Sequence, residues 1–401
     1  MIEFMYALAL TLGLLAGFAN VALAQSTDAR QRAAALAATA DEHATAGRMD
    51  QAIRAMEEAE RIAPDWPELK VNLAAFRSQA GDYAGAIAAA RSALQLDASL
   101  EGAWFNLGLA QLKSGDAAGA VETLARYRDR DDAPASVLAA LGLALLRAER
   151  VEESVAVLQR AVDAGVRDAD TVLALGRARL QLGEPEAAVG VARLLTAQPP
   201  PHALALLLLG DAHDAMHDWS AAEAAYRQAL AADPAVPRGQ YSLGLVLYKQ
   251  RRYDDAADAF DRELAADPDY PPALRYRAEL ELDRGAPAAA LPLLRRLTSV
   301  APDDAAGWRV LGRARLDQGE TPEAVTALKR AVELAPEDAS AHFLLGRAYA
   351  GSGRLDDATR AFGRATELNQ RTRERLQQRL SGKKLVRLDP PAKAGSRVAR
   401  D

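Results

Sequence analysis

Cysteine is absent from this chain of 401 residues, and Phe, Trp and Tyr together make up only 5% of it. Without cysteine the protein forms no disulfide, binds no zinc or iron–sulfur cluster through thiolates, and has no thiol nucleophile. This absence does not fix the compartment, because many secreted proteins manage without disulfides. Since aromatic residues are few, Ala and Leu supply most of the apolar volume, and both are good helix formers. The composition therefore predicts an all-α protein.

An excess of basic residues is also missing, because 49 Lys and Arg face 55 Asp and Glu, for a net charge of −6. The chain as a whole is not expected to bind nucleic acid. Basic residues nevertheless concentrate at the C-terminus, where residues 371–401 carry a net charge of +7 and the rest of the chain −13. Residues 382–401 are too polar to fold alone and are predicted to form a disordered basic tail, which could contact an anionic surface such as lipid headgroups.

The long apolar run lies at the N-terminus, from Phe4 to Phe18, and the small-x-small pattern Ala22-Leu23-Ala24 follows it. A run of about fifteen residues is shorter than the roughly twenty needed to span a bilayer. We therefore predict that residues 1–24 are a cleaved signal peptide.

The segment before this apolar run departs from the usual signal pattern, because it contains Glu3 and no Lys or Arg. An uncleaved anchor in the inner membrane therefore stays open as the alternative. In both cases the rest of the chain is predicted to be exported, into the bacterial periplasm, with residues 25–32 as a linker.

A repeat of 34 residues extends over residues 33–372. In residues 305–338 the key positions hold Trp308 (4), Leu311 (7), Gly312 (8), Gly319 (15), Ala324 (20), Leu328 (24), Ala331 (27) and Pro336 (32). Position 8 is Gly or Ala in all ten repeats, and position 20 is Ala in nine of them and Ser154 in the fourth. Positions 4, 7, 8 and 11 form an apolar stripe on one helix, and positions 20, 24 and 27 form the matching stripe on a second helix. Neither helix buries its stripe alone, so stacked helix pairs are predicted.

This pattern resembles the tetratricopeptide repeat family. The resemblance implies an α–α superhelix, a solenoid of ten helix–turn–helix repeats, and a C-terminal capping helix over residues 373–381. The predicted repeats begin at Ala33, Pro67, Glu101, Ala135, Ala169, Ala203, Pro237, Pro271, Ala305 and Ala339. Departures from the pattern include Lys70 at position 4, Glu149 at the turn, and Pro292 within a second helix, where we expect a kink or a break. Irregular geometry is also expected at 199–201.

Candidates for catalysis or metal binding are few. His213 and His217 stand four residues apart, a spacing that can hold one metal, but the repeat places His213 at a packing position and His217 in the turn. The second interpretation is favoured, and no nucleophile accompanies the pair. Because the repeats leave no room for a catalytic domain, we predict a protein that is not an enzyme, with no metal and no cofactor.

The resemblance implies that ligands lie along the concave surface of the first helices, at positions such as 2, 5, 9 and 12. In repeats three and four these positions form an apolar floor: Phe105, Leu109, Leu112, Ala139, Leu143 and Leu146. In repeats seven to ten they hold arginine and aromatic residues, with a lysine beside them: Arg238, Tyr241, Tyr248, Lys249, Arg275, Arg309, Arg313, Phe343 and Arg347. The alternative is that the leucines pack into neighbouring helices and that the arginines pair with Glu279, Asp283 and Asp317.

The resemblance implies a non-catalytic scaffold that binds a protein or peptide partner in the assembly of a cell-envelope system. Arginine with tyrosine is typical of interface hot spots, and arginine forks suit carboxylates, which favours an acidic peptide or a uronic-acid-like glycan as ligand. A polysaccharide-export or glycan-binding subunit is therefore the alternative function. The Lys/Asn combination by which chaperone-binding members hold a C-terminal carboxylate is not found.

Overall fold

The computed structural model describes residues 27–197 and 199–385, and over these residues it holds twenty α-helices, one short 3₁₀ helix and no strand. The prediction of an all-α fold is confirmed. The chain divides into two compact units, Met1–Val236 and Pro237–Asp401, and the division falls between repeats six and seven. None of the helices described is long and apolar enough to cross a membrane.

The first unit contains twelve of the described helices, which alternate as first and second helix of a repeat. They are α1 (Thr27–Thr45), α2 (Met49–Ile62), α3 (Pro67–Gln79), α4 (Tyr83–Leu96), α5 (Glu101–Ser114), α6 (Ala117–Leu124, continued by the 3₁₀ helix Ala125–Tyr127), α7 (Ala135–Arg147), α8 (Val151–Asp163), α9 (Ala169–Gln181), α10 (Pro185–Thr196), α11 (Ala203–Ala215) and α12 (Trp219–Ala232). Consecutive helices pack against each other, and from α3 to α11 the successive first helices also touch one another.

The second unit continues the same order of elements through the last four repeats. Its helices are α13 (Gly239–Lys249), α14 (Tyr253–Ala266), α15 (Pro271–Asp283), α16 (Pro287–Val300), α17 (Ala305–Asp317), α18 (Thr321–Leu334), α19 (Ala339–Gly351) and α20 (Leu355–Leu385). Each first helix again packs on its own second helix and on the first helix of the following repeat.

The first helix of eight repeats begins at the residue that the periodicity predicts. The exceptions are α1, which begins at Thr27 rather than Ala33, and α13, which begins at Gly239 rather than Pro237. In the latter case Arg238 adopts a left-handed conformation with φ of 57°, so the helix can start only after it.

Small residues at position 8 allow the two helices of a repeat to approach closely. A Cβ atom on Gly312 would lie 2.3 Å from Cγ of Leu328, and one on Gly244 would lie 2.7 Å from the ring of Phe260. In repeat eight, where position 8 is Ala278, the residue opposite in the sequence pattern is Leu294, and both are fully buried. A side chain larger than Ala at position 8 would therefore force the two helices of a repeat apart.

The turn between the helices of every repeat has one residue with positive φ at position 15. Seven of these residues are glycines, and the other three are Glu149, His217 and Arg251, with φ of 59°, 61° and 63°. A side chain is unfavourable in this conformation by roughly 1–2 kcal/mol. Glu149, which stands where the pattern has glycine, therefore adopts the positive φ of the turn although glycine is the residue that adopts it without strain.

We predict that Arg251→Gly stabilises the second unit by about 1 kcal/mol, since it relieves the left-handed conformation at an exposed position. The measurement is the urea unfolding midpoint. Gly285→Ala is the matched control at the next turn, because nothing lies within 4 Å of its Cβ position and only the backbone conformation, φ of 74°, resists the change. The Gly285→Ala variant should lose about as much stability as the Arg251→Gly variant gains. A destabilising Arg251→Gly would contradict the argument.

The prediction of a break at Pro292 is wrong, because α16 runs without interruption from Pro287 to Val300. Pro292 is the sixth residue of this helix, so only the carbonyl of Ala288 loses its donor within the helix. Leu294 and Leu297 are fully buried on the same helix, and this burial outweighs the lost hydrogen bond. The segment between α10 and α11 is non-helical, as expected at 199–201.

Residues 373–381 are helical, but they continue α20 and do not form a helix of their own. Repeat ten has Gln370 where most other repeats have a terminal Pro, so nothing ends the helix there. Leu376, at position 4 after the tenth repeat, is 57% exposed and so does not pack inward as a capping residue would. The signal peptide (1–24) and most of the basic tail (382–401) lie outside the described residues. Residues 27–32, which were predicted as part of a linker (25–32), instead form the beginning of α1.

Candidate ligand-binding face

The apolar floor of repeats three and four is mostly helix packing. Leu112 is only 4% exposed and Ala139 is fully packed in the same core cluster. Phe105 and Leu143 are half-buried against this cluster, and Leu146 packs against the cluster of the next repeat. Leu112 and Ala139 therefore cannot line an open surface, which corrects the prediction for these two residues. Leu109 is half-buried on α5.

An aromatic cluster occupies the first helices of repeats seven and eight. The ring of Tyr241 lies 5.3 Å from that of Tyr270, and the ring of Tyr248 lies 5.8 Å from that of Tyr276, both edge to face. Phe260, fully buried on α14, stacks on Tyr276 with ring centroids 5.8 Å apart. Such edge-to-face and offset contacts stabilise beyond the area they bury.

The repeat positions predicted only two members of this cluster, Tyr241 and Tyr248. Tyr276 is at position 6 and Tyr270 precedes the first helix, so neither falls at the positions that the family resemblance singles out. Tyr253, whose ring lies 5.5 Å from that of Tyr248, was missed for the same reason. Their density was the available signal, because six aromatic residues fall between positions 241 and 276 in a chain with few of them.

The tyrosine hydroxyls of this cluster remain available to a ligand. Burial raises the pKa of Tyr241 to about 12, and burial together with the negative Asp283 and Glu279 raises the pKa of Tyr248. Both phenols are therefore neutral at physiological pH and can donate a hydrogen bond. In the described part of the chain, the hydroxyls of Tyr241, Tyr248, Tyr270 and Tyr276 form no hydrogen bond.

Two arginines at position 5 form ion pairs across successive repeats. Nη1 of Arg275 lies 3.6 Å from Oδ2 of Asp304, and Nε of Arg309 lies 3.1 Å from Oδ2 of Asp338. Each aspartate is also the N-cap of a first helix: Asp304 accepts the backbone N–H of Ala306, and Asp338 those of Ser340 and Ala341. These arginines thus connect one first helix to the N-terminus of the next.

The remaining predicted cations differ in their surroundings. Arg313 donates to Asp283 at 3.0 Å and lies 3.7 Å from Asp317, which are two of the pairings that the alternative interpretation expected. Arg238 and Lys249 are half-buried on or beside α13. Arg347 is exposed on α19 with no ion pair to another described residue, one turn after Phe343, which is 52% exposed.

Glu279, at position 9 of α15, is a half-buried carboxylate with no hydrogen bond or ion pair to any residue that the structure describes. Burial raises its pKa above the ordinary 4.5, although Arg275, Arg309 and Arg313 act in the opposite direction. Asp283 adds to the increase in pKa. The folded protein therefore holds this carboxylate at a cost in solvation.

We predict that Glu279→Gln makes the protein more stable than wild type at pH 7. Because the folded-state pKa is raised, the wild type is relatively most stable below the ordinary pKa and loses stability as the pH rises through the folded-state value. The difference between the two proteins should therefore shrink when thermal unfolding is measured at pH 4 instead of pH 7. Asp258→Asn, which changes the same charge at an exposed position on α14, should show a smaller difference.

The N-terminus of α13 lacks a capping side chain of its own, because Arg238 occupies the N-cap position. Glu263, buried on α14, accepts the backbone N–H of Tyr241 at 2.9 Å and replaces that cap. This hydrogen bond fixes the start of the helix that carries Tyr241 and Tyr248.

The histidine pair is placed as the repeat pattern favoured. His213 is half-buried in the packing position and its Nδ1 lies 3.8 Å from Oδ2 of Asp218. His217 is exposed in the turn with its ring 6.4 Å from that of Trp219. Across residues 27–197 and 199–385, no three His, Asp or Glu side chains are arranged to hold a metal ion.

The family model described as tetratricopeptide repeat matches residues 139–203, 207–271, 277–335 and 309–371, which together make up more than half of the chain. A second model of the same description matches residues 77–144. The stacked helix pairs thus define a helical repeat protein. The chain belongs to the tetratricopeptide repeat family.

Solved structures with the same fold include a tetratricopeptide repeat protein from Parabacteroides merdae, which is 20% identical, with a TM-score of 0.50, over 61% of this chain and 97% of that one. MamA is 23% identical over 41% of this chain and 97% of its own, with a TM-score of 0.38. YrrB, described as a TPR protein with an unusual peptide-binding site, is 22% identical over 41% and 86%, with a TM-score of 0.37. No curated protein matches the chain.

Proposed function

We propose that this protein is an exported, non-catalytic scaffold that binds a protein or peptide partner along the first helices of repeats seven to ten. The observation that carries the proposal is the pair Phe343 and Arg347 on α19. They are an exposed aromatic ring and, one turn later, an exposed guanidinium with no ion pair to any residue that the structure describes. Aromatic residues and arginine are the side chains that dominate binding energy at protein interfaces.

The family and the sequence support the remaining parts of this proposal. Tetratricopeptide repeat proteins are generally scaffolds, and their fold provides a surface for partners. Export rests on the apolar N-terminal run and the Ala22-Leu23-Ala24 pattern, and it motivates a role in assembling a cell-envelope system. The glycan-binding alternative has no observation in its favour among the described residues.

The test places a photo-crosslinking amino acid at Phe343 on α19, and, as control, at Thr326, which is exposed on the second helix α18. We expect protein partners to be crosslinked in cells from position 343 and not from position 326. Arg347→Glu should weaken this crosslinking by about tenfold or more, which corresponds to one hot-spot residue.

Arg347 is the right position for charge reversal because it has no ion pair within the described part of the chain, whereas Arg309 and Arg313 pair with aspartates of the chain itself. Their reversal would disturb packing between repeats as well as binding. Equal crosslinking from positions 343 and 326, or full crosslinking by Arg347→Glu, would overturn the proposed face. Export is checked separately, since a cleaved protein isolated from the periplasm should begin at Gln25.

A further inference from the structure

Three arginines of the first helices in the second unit already pair with carboxylates of the chain. Arg275 pairs with Asp304, Arg309 with Asp338, and Arg313 with Asp283. The first two aspartates also cap helices, so an acidic ligand that captured these arginines would have to compete with an ordered internal partner. Counting these arginines as free cations therefore overstates the attraction of this face for acidic peptides.

Glu279, in contrast to these arginines, has a charge without a direct partner among the described residues. Three arginines lie close enough to lower its pKa, yet all three have an aspartate as their direct partner, and Glu279 itself forms no ion pair with a described residue. A half-buried carboxylate without a donor is unfavourable, and a hydrogen bond from a charged donor would relieve this cost. Among the described charges of α15 and α17, the one left without an ion pair is thus negative.

Two tyrosines neighbour this carboxylate, and its negative charge raises the pKa of one of them, Tyr248. Tyr276 lies one turn before Glu279 on α15, and its ring is 5.8 Å from that of Tyr248 on α13. Tyrosine faces attract ammonium and guanidinium groups, most strongly where water is excluded. The chain itself provides an example, because the guanidinium of Arg275 lies 5.4 Å from the centre of the Tyr276 ring.

We infer that Glu279, with the rings and hydroxyls of Tyr248 and Tyr276, binds a lysine or arginine side chain of the peptide partner. This inference rests on the proposed function and deepens it, since it assigns a basic residue to the partner. It also reverses the ligand charge that the arginine positions alone suggest. The carboxylate supplies the ion pair, the rings contact the aliphatic stem, and the hydroxyls bond to the peptide backbone.

The test uses the full chain labelled with 3-fluorotyrosine and observed by fluorine NMR, which detects weak binding. The probes are short Gly/Ser peptides with one central lysine, arginine, norleucine or glutamate, titrated at constant ionic strength. Tyr248→Phe and Tyr276→Phe identify the two resonances. We expect the lysine and arginine peptides to shift both resonances, and the norleucine and glutamate peptides to leave them unchanged.

The decisive variant is Glu279→Gln, which should weaken binding of the lysine and arginine peptides by about tenfold or more. Asp258→Asn changes the net charge equally from an exposed site on α14 and should bind as wild type does. Because Glu279→Gln is expected to be at least as stable as wild type at pH 7, its loss of binding would not reflect unfolding.

Several results would overturn the inference: equal shifts by norleucine, a response to glutamate alone, no response to any peptide, or unchanged binding by Glu279→Gln. If crosslinking from position 343 persists in any of these cases, the proposed function stands, and only the assignment of a basic partner residue to Glu279 is wrong. If that crosslinking is absent as well, the proposed binding face itself is wrong.

Discussion

Gly312→Val should destabilise the second unit by about 3 kcal/mol, near the upper end for overpacking a core. Already its Cβ would lie 2.3 Å from Cγ and 2.6 Å from Cδ2 of Leu328, well inside contact distance. Leu328 is fully buried and packs with Leu345 and Ala348 of the next repeat, so it cannot move aside without opening that interface. A larger side chain at position 312 thus forces the two helices of repeat nine apart.

The matched control is Gly363→Ala in α20, because Gly363 is also a helical glycine but has nothing within 4 Å of its Cβ position. This change should stabilise the unit by up to about 1 kcal/mol through helix propensity alone. Urea unfolding shows whether each variant raises or lowers the free energy of unfolding. Hydrogen exchange should locate the Gly312→Val effect in α17 and α18. Equal effects of the two substitutions would show that close helix approach does not limit position 8.

Glu60→Leu is expected to destabilise the first unit by about 3 kcal/mol, because it leaves a buried ammonium without its partner. Lys70 occupies position 4, where most repeats have a bulky apolar residue, and it is only 7% exposed. Its Nζ forms an ion pair with Glu60 of the preceding second helix. The pair therefore replaces apolar packing between repeats one and two.

The double variant Glu60→Leu/Lys70→Leu separates the loss of a partner from the loss of the pair. Well-packed apolar residues commonly replace a buried ion pair at no cost or with a gain. We therefore expect the double variant to unfold near the wild-type urea midpoint, well above the single variant. A double variant as unstable as Glu60→Leu would mean that the ion pair itself stabilises this interface.

Ten repeats in register were predictable from sequence, because each position of a helix pair imposes its own size limit. Gly312 and Leu328, for example, lie so close together that the small residue at position 8 and the large residue at position 24 can be read as a packing contact. The turn was predictable for the same reason, and Glu149 and Arg251 show that the conformation persists when glycine is replaced. Pro292 shows the limit of such rules, since burial of neighbouring leucines holds its helix together.

The candidate site was predicted only in part, since the repeat pattern places residues on a face without giving their partners. Position numbers alone could not show that Leu112 is buried or that Tyr276 stacks on Phe260 from another helix. Nor could they show which carboxylates pair with the arginines, because Asp304 and Asp338 lie at the start of the next repeat.

Local pattern thus determined the helices, their register and the family, because these depend on spacings within one repeat. Tertiary structure decided which charges of the face remain unsatisfied, because those depend on distances between repeats. The clearest case is Glu279, for which the sequence alone suggested only a pairing with arginine. In the folded chain aspartates pair with those arginines, and Glu279 remains half-buried beside Tyr248 and Tyr276 without an ion pair to a described residue.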